Sequence, residues 1–404
     1  MKHEQLAGAA RHSATLGTDV VMKNDWYDIK FLESATNVRE LIGNSTGRKP
    51  SAGIAREIAV CIQQGRLFFE AAAEAPIQIK PLQIYYGIVA FAQAVIVATK
   101  CSSLSTLARA HGLTDITQDN AGIEGLALRV ENGGTFQEFN DAIAPLGRIW
   151  YFDNSMPRWY EMPFDVAASL SGQRIEITEI LARVPGLAGK FSQTFGSPAK
   201  AVPIMLHFGT PNIGHCTLRI DDPFLFTDRA SLIAFIKRLR AEYPFLEGWR
   251  FTEALHSWGN SIINFDNAGG RRDDDLSEEN LIQANNNGFA ASRALMGGDR
   301  TVVPAADILM PLSGGYVGSS QTYAMQPINN AKLSEYALQF LGTFLLSSLV
   351  RYRPQIWQNA ISRSVTAQSA ADDRALSLIE KFLDDALSGF PDMVVRVIDY
   401  QRKW

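Results

Sequence analysis

"KPLQIYYGIVAFAQAVIVATK", residues 80–100, is the most apolar run of the chain and has a lysine at each end. About 18 apolar residues meet the length of a bilayer-spanning helix, and terminal lysines can snorkel to the interface. Two amides, Gln83 and Gln93, and two tyrosines, Tyr85 and Tyr86, interrupt the run. In hydrocarbon those amides need hydrogen-bond partners that a lone span lacks. On a helical projection Gly87, Ala90, Ala94 and Ala98 share a stripe with Gln83, while Ile88, Val89, Val95, Ile96 and Val97 cover other faces. A stripe of small residues lets a second helix approach closely, and apolar residues all round imply burial on every side. The run therefore reads as the central helix of a protein core, with no membrane association.

What surrounds it is helical at both ends of the chain. Residues 1–24 are polar and aperiodic and read as a flexible N-terminal arm. Residues 25–121 read as the N-terminal part of a bundle. "WYDIKFLESATNVRELI" forms one helical segment and "GIAREIAVCIQQGRLFFEAA" another, and "SSLSTLARAHGL" reads as a short helix closed by Gly112. Residues 326–404 read as the C-terminal part. Leu333, Tyr336, Phe340, Phe344 and Leu349 recur at helical spacing, Pro354 restarts the chain as a new helix, and a third helix ends before Gly389 and Pro391. Between them, residues 122–325 carry short β-rich runs (148–152, 202–208, 215–220 and 261–265) and one helix, "DRASLIAFIKRLRAEY", with Thr227 as its expected cap. Residues 268–288 read as a solvated loop or frayed helix. The expected fold is α+β and mainly helical: both chain ends pack into one bundle, and a mixed β-containing central region departs from it.

Composition narrows the function classes. The chain has 404 residues, a formal charge of −4, and apolar and charged shares of 46% and 20%, an ordinary globular balance that excludes coating nucleic acid by bulk charge. Cys61, Cys101 and Cys216 are too few and too far apart for a disulfide framework or a metal knuckle, and read as reduced, partly buried thiols. The N-terminal segment has no continuous apolar core of a secretory signal, so the cytoplasm is the expected compartment.

Five segments in order, "IKPLQIYYGIVAFAQAVI", "HGL" (111–113), "GTF" (134–136), "ITEILARVPGLAGKF" (177–191) and "LLSSLVRYRPQIW" (345–357), resemble the YaaC-like family of bacterial proteins from about Trp26 to Asp399. That resemblance implies a bacterial cytoplasmic protein and brings no assigned activity. More loosely, "YYGIVAFAQAVI" is similar to the core helix of HEPN-type helical domains, which implies a setting among toxins, nucleotidyltransferase partners and antiviral systems.

Chemistry-bearing residues are sparse. A HEPN-type ribonuclease wants an arginine followed four to six residues later by a histidine, for phosphate charge and proton transfer. Arg250 and His256 meet that spacing; His111 stands too close to Arg109. His207, His215 and Cys216 lack a fourth ligand, so no metal is expected, and no cofactor fingerprint occurs. "GGYVGSSQTY", 314–323, lacks the lysine of a phosphate loop. The preferred binding site is the end of the long C-terminal helix, where Arg351, Tyr352, Arg353, Trp357 and Arg363 interleave guanidinium groups with aromatics, a pattern that grips phosphate and stacks bases. Two functions follow as expectations: a non-catalytic binding or assembly subunit of a bacterial stress or antiviral defence system, with a protein partner or a second copy of itself, or a HEPN-like effector directed at RNA or other nucleic acid, a ribonuclease; nucleic acid or nucleotide is an expected partner in either.

Overall fold

A computed structural model of the chain describes residues 26–144, 148–153, 156–161, 170–208, 216–222, 226–242, 246, 249–257, 260–266, 281–284, 288–291, 322–329, 331–361 and 370–399. In chain order the elements are α1 (26–32), α2 (Ala35–Thr46), α3 (Ala52–Ala73), α4 (Lys80–Lys100), β1 (Leu113–Asp115), β2 (Ala127–Val130), α5 (Thr135–Ile143), β3 (Arg148–Asp153), β4 (Met156–Glu161), β5 (Arg174–Glu176), α6 (Ile177–Leu181) and α7 (Ala188–Phe195). There follow β6 (Ala201–Phe208), β7 (Cys216–Asp222), α8 (Arg229–Glu242), β8 (Arg250–Ser257), β9 (Asn260–Asp266), β10 (Leu281–Ala284), β11 (Gly288–Ala291), β12 (Thr322–Met325), α9 (Glu335–Tyr352), α10 (Pro354–Ile361) and α11 (Ala370–Ile398). The chain divides into two compact units. One takes the chain up to Ile143, Ser171–Ile177 and the chain from Gln339 onward; the other takes Ala144–Leu170 and Thr178–Leu338.

In the first unit α4 is the buried centre. Among the described residues it is the one helix long and apolar enough to cross a membrane, yet two thirds of its most apolar window is buried inside the protein. The small-residue stripe does what its spacing predicts. A Cβ placed on Gly87 falls 2.3 Å from Phe69 and 3.2 Å from the Gly65 carbonyl oxygen, so α3 and α4 touch backbone to backbone. Phe69 and Phe91 close over that contact edge to face, 5.2 Å apart. From there an aromatic core runs on through both ends of the chain. Phe91 stacks near Phe390 of α11, Phe390 lies 5.7 Å from Phe139 of α5, and Phe340 of α9 meets Tyr85, Phe136 and Phe139 at 5.6–5.8 Å. N- and C-terminal helices thus pack as one bundle. A three-stranded antiparallel sheet, β1-β2-β5, belongs to the same unit.

Several local readings change. The 26–42 segment is two helices, because the Ser34 hydroxyl accepts from the Asn37 N–H and starts α2 afresh. Residues 102–112 make only a single tight turn at Leu104–Thr106, where the Glu57 carboxylate accepts from the Ser103 hydroxyl and the Leu104 N–H instead of leaving them to a helix. The last helix continues through Gly389 and Pro391 to Ile398. Burial of Phe390, Met393, Val394 and Ile398 holds it together past the proline. Cys61 is buried, its thiol pushed up to about 11 by burial and by Glu57; Cys101 is half-buried, and the Cys216 side chain lies outside the described residues.

The second unit is built on a nine-stranded sheet in the order β10-β11-β8-β9-β7-β6-β3-β4, with β12 on the N-terminal half of β6. Every pair is antiparallel except β3 with β6. The β-rich runs at 148–152, 202–208, 215–220 and 261–265 become β3, β6, β7 and β9, with His215 itself outside the described residues. Alternate residues of β9, Ser261, Ile263 and Phe265, are buried, as the two-residue period of a half-covered strand requires. Within 268–288, residues 281–284 and 288 are strand, and residues 314–321 lie outside the described residues. Asp228, rather than Thr227, caps α8: its carboxylate accepts from the Ser231 N–H at 2.7 Å. The whole is an α+β fold in which helices hold more of the described residues than strands do.

Candidate functional site

The two residues placed as a catalytic pair lie on one strand. Arg250 and His256 sit on β8, six residues apart in extended chain, which separates them by roughly 20 Å. A single phosphate cannot touch both. Arg250 is buried, while His256 lies 4.3 Å from the Phe226 ring with Nδ1 3.2 Å from the Ser261 hydroxyl, so its surroundings are those of a packed strand residue. Among the described residues there is no cluster of three or more His, Cys, Asp or Glu side chains able to hold a metal.

The C-terminal residues of α9 and the start of α10 separate into different roles. Trp357 is 1% exposed and donates from its indole nitrogen to the Gln78 carbonyl at 3.0 Å, fixing the turn that leads into α4. Arg353 is engaged by carboxylates: its Nε lies 3.5 Å from Asp115, and its Nη1 reaches Asp119 at 3.1 Å and the Thr117 carbonyl oxygen. Asp115 also accepts from the Ser348 hydroxyl at 3.1 Å and the Thr117 N–H at 2.9 Å. This network ties α9 to β1. Arg353→Ala therefore lowers stability by about 2 kcal/mol, read as a shifted urea midpoint at unchanged slope, because it leaves a largely buried Asp115 carboxylate without its cation. Arg363 lies outside the described residues.

Arg351 differs from its neighbour. Half-buried, its guanidinium sits over the Tyr86 ring at 5.7 Å and the Tyr352 ring at 4.9 Å, and its Nη1 donates to the Tyr86 hydroxyl at 3.2 Å. Among the described residues no carboxylate pairs with it, and its buried Nε has no hydrogen-bond partner. Tyr86 is itself stacked on Phe68 at 5.6 Å, and Tyr352 is 70% exposed. Two further groups share this corner. Tyr85 is fully buried with an unpartnered hydroxyl, and its ring lies 5.5 Å from that of half-buried His111. Burial, and then the Arg351 charge, hold the His111 imidazole below its usual range and hence neutral. Burial raises the Tyr85 hydroxyl far above its usual range, against the pull of Arg351, so it remains a protonated donor.

Local chain geometry holds His111 here. Gly134 has φ +149°, and a Cβ on it would fall 2.3 Å from the Gly112 nitrogen, so only glycine lets the two loops meet. The Thr135 and Phe136 N–H groups then donate to the Ala110 and His111 carbonyls at 2.9 and 3.1 Å, and Gln137 donates to the Gly112 carbonyl at 3.2 Å. The "HGL" and "GTF" segments are thus two sides of one mount. A search by sequence spacing misses this constellation, because Arg351 and Tyr86 stand 265 residues apart and meet only when the bundle closes.

The geometry defines a mainly helical α+β protein with an arginine–tyrosine–histidine corner in its bundle, whose Arg351 is paired with no carboxylate among the described residues. A family profile described as "YaaC-like Protein" matches residues 25–398, and the chain belongs to that family. No curated protein and no solved structure matches it.

Proposed function

We propose that this YaaC-like chain is a bacterial cytoplasmic binding or assembly subunit, without catalysis of its own, and that it grips a phosphate-bearing, base-containing ligand at Arg351. One observation carries the reading: a half-buried guanidinium that no described carboxylate neutralises, held between two tyrosine rings. Uncompensated charge at such depth is costly unless an anion joins it, and guanidinium beside exposed aromatic surface suits phosphate with a stacked base. Tyr352 supplies that surface. Arg353, Trp357 and the Asp115 network act as its frame.

Titration of the full chain with a short oligoadenylate tests this. Arg351→Gln is expected to weaken binding about 10- to 100-fold, the loss of one or two charge-assisted hydrogen bonds, while the melting temperature stays within about 3 °C of wild type. Affinity unchanged by Arg351→Gln, or a melting temperature that falls in step with affinity, removes the reading.

A second reading, an RNA-directed effector of HEPN-like descent, is favoured by the neutral His111 imidazole in the field of Arg351, a proton acceptor beside a phosphate-charge stabiliser. Incubation with labelled RNA separates the two. Cleavage abolished by His111→Ala and retained in His256→Ala supports the enzyme; intact RNA that remains bound supports the subunit.

A further inference from the structure

We infer that the outer face of α3 is a self-association surface, on which a second copy of this chain packs its own α3 antiparallel about a two-fold axis. The inference stands apart from the Arg351 corner and does not depend on it. It begins with what α3 leaves outside. One side of the helix faces the core through Ile58, Ile62, Phe69 and the close approach of Gly65 to α4. On the opposite side Arg56, Val60, Gln63, Leu67, Ala71 and Glu74 are all exposed, Val60 at 54% and Leu67 at 52%. At 3.6 residues per turn these six fall on one stripe about a quarter-turn wide. Between its two ends the stripe carries no charge, although the water-facing side of a helix ordinarily does. Charges beside it are engaged within the chain. Arg66 pairs with Glu33 and, at 2.7 Å, with Glu70, while the Glu57 carboxylate accepts from the Ser103 hydroxyl and the Leu104 N–H.

The two ends decide what covers the stripe. Arg56 and Glu74 stand five full turns apart, so they lie on the same side of α3 yet about 27 Å from each other. Neither has an ion-pair partner among the described residues. A second α3 laid antiparallel, with the axis level with Gly65, brings Glu74 of the second copy opposite Arg56 at both ends. Gln63 then faces Leu67, and Val60 comes beside Ala71. A parallel pair would set Arg56 against Arg56 and Glu74 against Glu74, so the end charges select the antiparallel arrangement. Because the contact is the same patch on both chains, it closes as a dimer and grows no further. One helix face covers less than the roughly 800 Å² per partner of a standard interface, which places the dissociation constant in the micromolar range.

Sedimentation equilibrium of the full chain from about 1 to 200 μM is expected to pass from monomer to dimer. Leu67→Lys should hold the chain monomeric throughout, with a melting temperature within about 3 °C of wild type, because the side chain is half exposed in the monomer. Arg56→Glu and Glu74→Arg, made separately, should each weaken the dimer about 10-fold or more by setting like charges face to face at both ends. Mixed in equal amounts, the two variants should associate as tightly as wild type, since one chain then brings two negative ends and the other two positive ones. Only opposed copies of α3 give that rescue. A chain that is monomeric at every concentration overturns the inference, and that is the result if residues 1–24 or a different protein occupy this face. A dimer that Leu67→Lys leaves intact overturns it as well, as does a mixture of the two reversed variants that associates no better than either alone.

Discussion

Gly87→Leu is expected to abolish the folded bundle. A Cβ alone at this position falls 2.3 Å from Phe69, and Phe69 cannot retreat, because it is fully buried and locked edge to face against Phe91. On the far side the Gly65 carbonyl oxygen stands 3.2 Å away, so the strain passes into the backbone of α3. Overpacking by one or two methylenes costs about 1–3 kcal/mol where the core can shift. Here a four-carbon side chain would have to separate α3 from α4 and undo their shared core, at a cost comparable with a typical total stability of about 5–15 kcal/mol. Circular dichroism melts of Gly87→Ala and Gly87→Leu check it. Alanine should lower stability by about 1–3 kcal/mol, and leucine should leave no cooperative transition. A leucine variant melting near wild type would mean that the two helices do not cross at this glycine.

Trp357→Ala follows, with an expected loss of about 3–5 kcal/mol. Its indole is almost wholly enclosed, and its N–H holds the Gln78 carbonyl at the turn before α4. Truncation removes the packing, opens a cavity and strands a carbonyl together. Trp357→Phe keeps most of the packing and should cost less than half as much, so the pair separates volume from hydrogen bond in urea unfolding. A tryptophan that served mainly to stack a ligand would instead show weakened binding at unchanged stability.

How much of this could be read from the chain depends on whether the deciding contacts are local. The central helix declares itself, since its all-round apolarity and the Gly87 stripe are properties of one short segment. Long apolar periodicity likewise marks α3, α8 and α9. Local punctuation misleads where tertiary burial overrides it: Gly389 and Pro391 look like an ending, yet Phe390 and Val394 are buried enough to carry α11 onward. The site shows the same limit more sharply. Arg250 and His256 match a spacing and lie on a strand that keeps them apart. Arg351 and His111 have no such spacing, and the fold brings their neighbourhoods together. Nothing in the sequence distinguishes Arg351 from Arg353 either. The difference lies in Asp115 and Asp119, more than 230 residues away in the chain, which neutralise one of them.

Amide hydrogen exchange on the full chain, with and without adenosine 5′-monophosphate, tests the account most directly. Residues 84–98 and 340–349 should exchange together and only on global unfolding, and the nucleotide should slow exchange selectively around residues 85–86, 110–112 and 348–353. Rapid exchange at 84–98, or nucleotide protection that falls elsewhere and spares that corner, would contradict it.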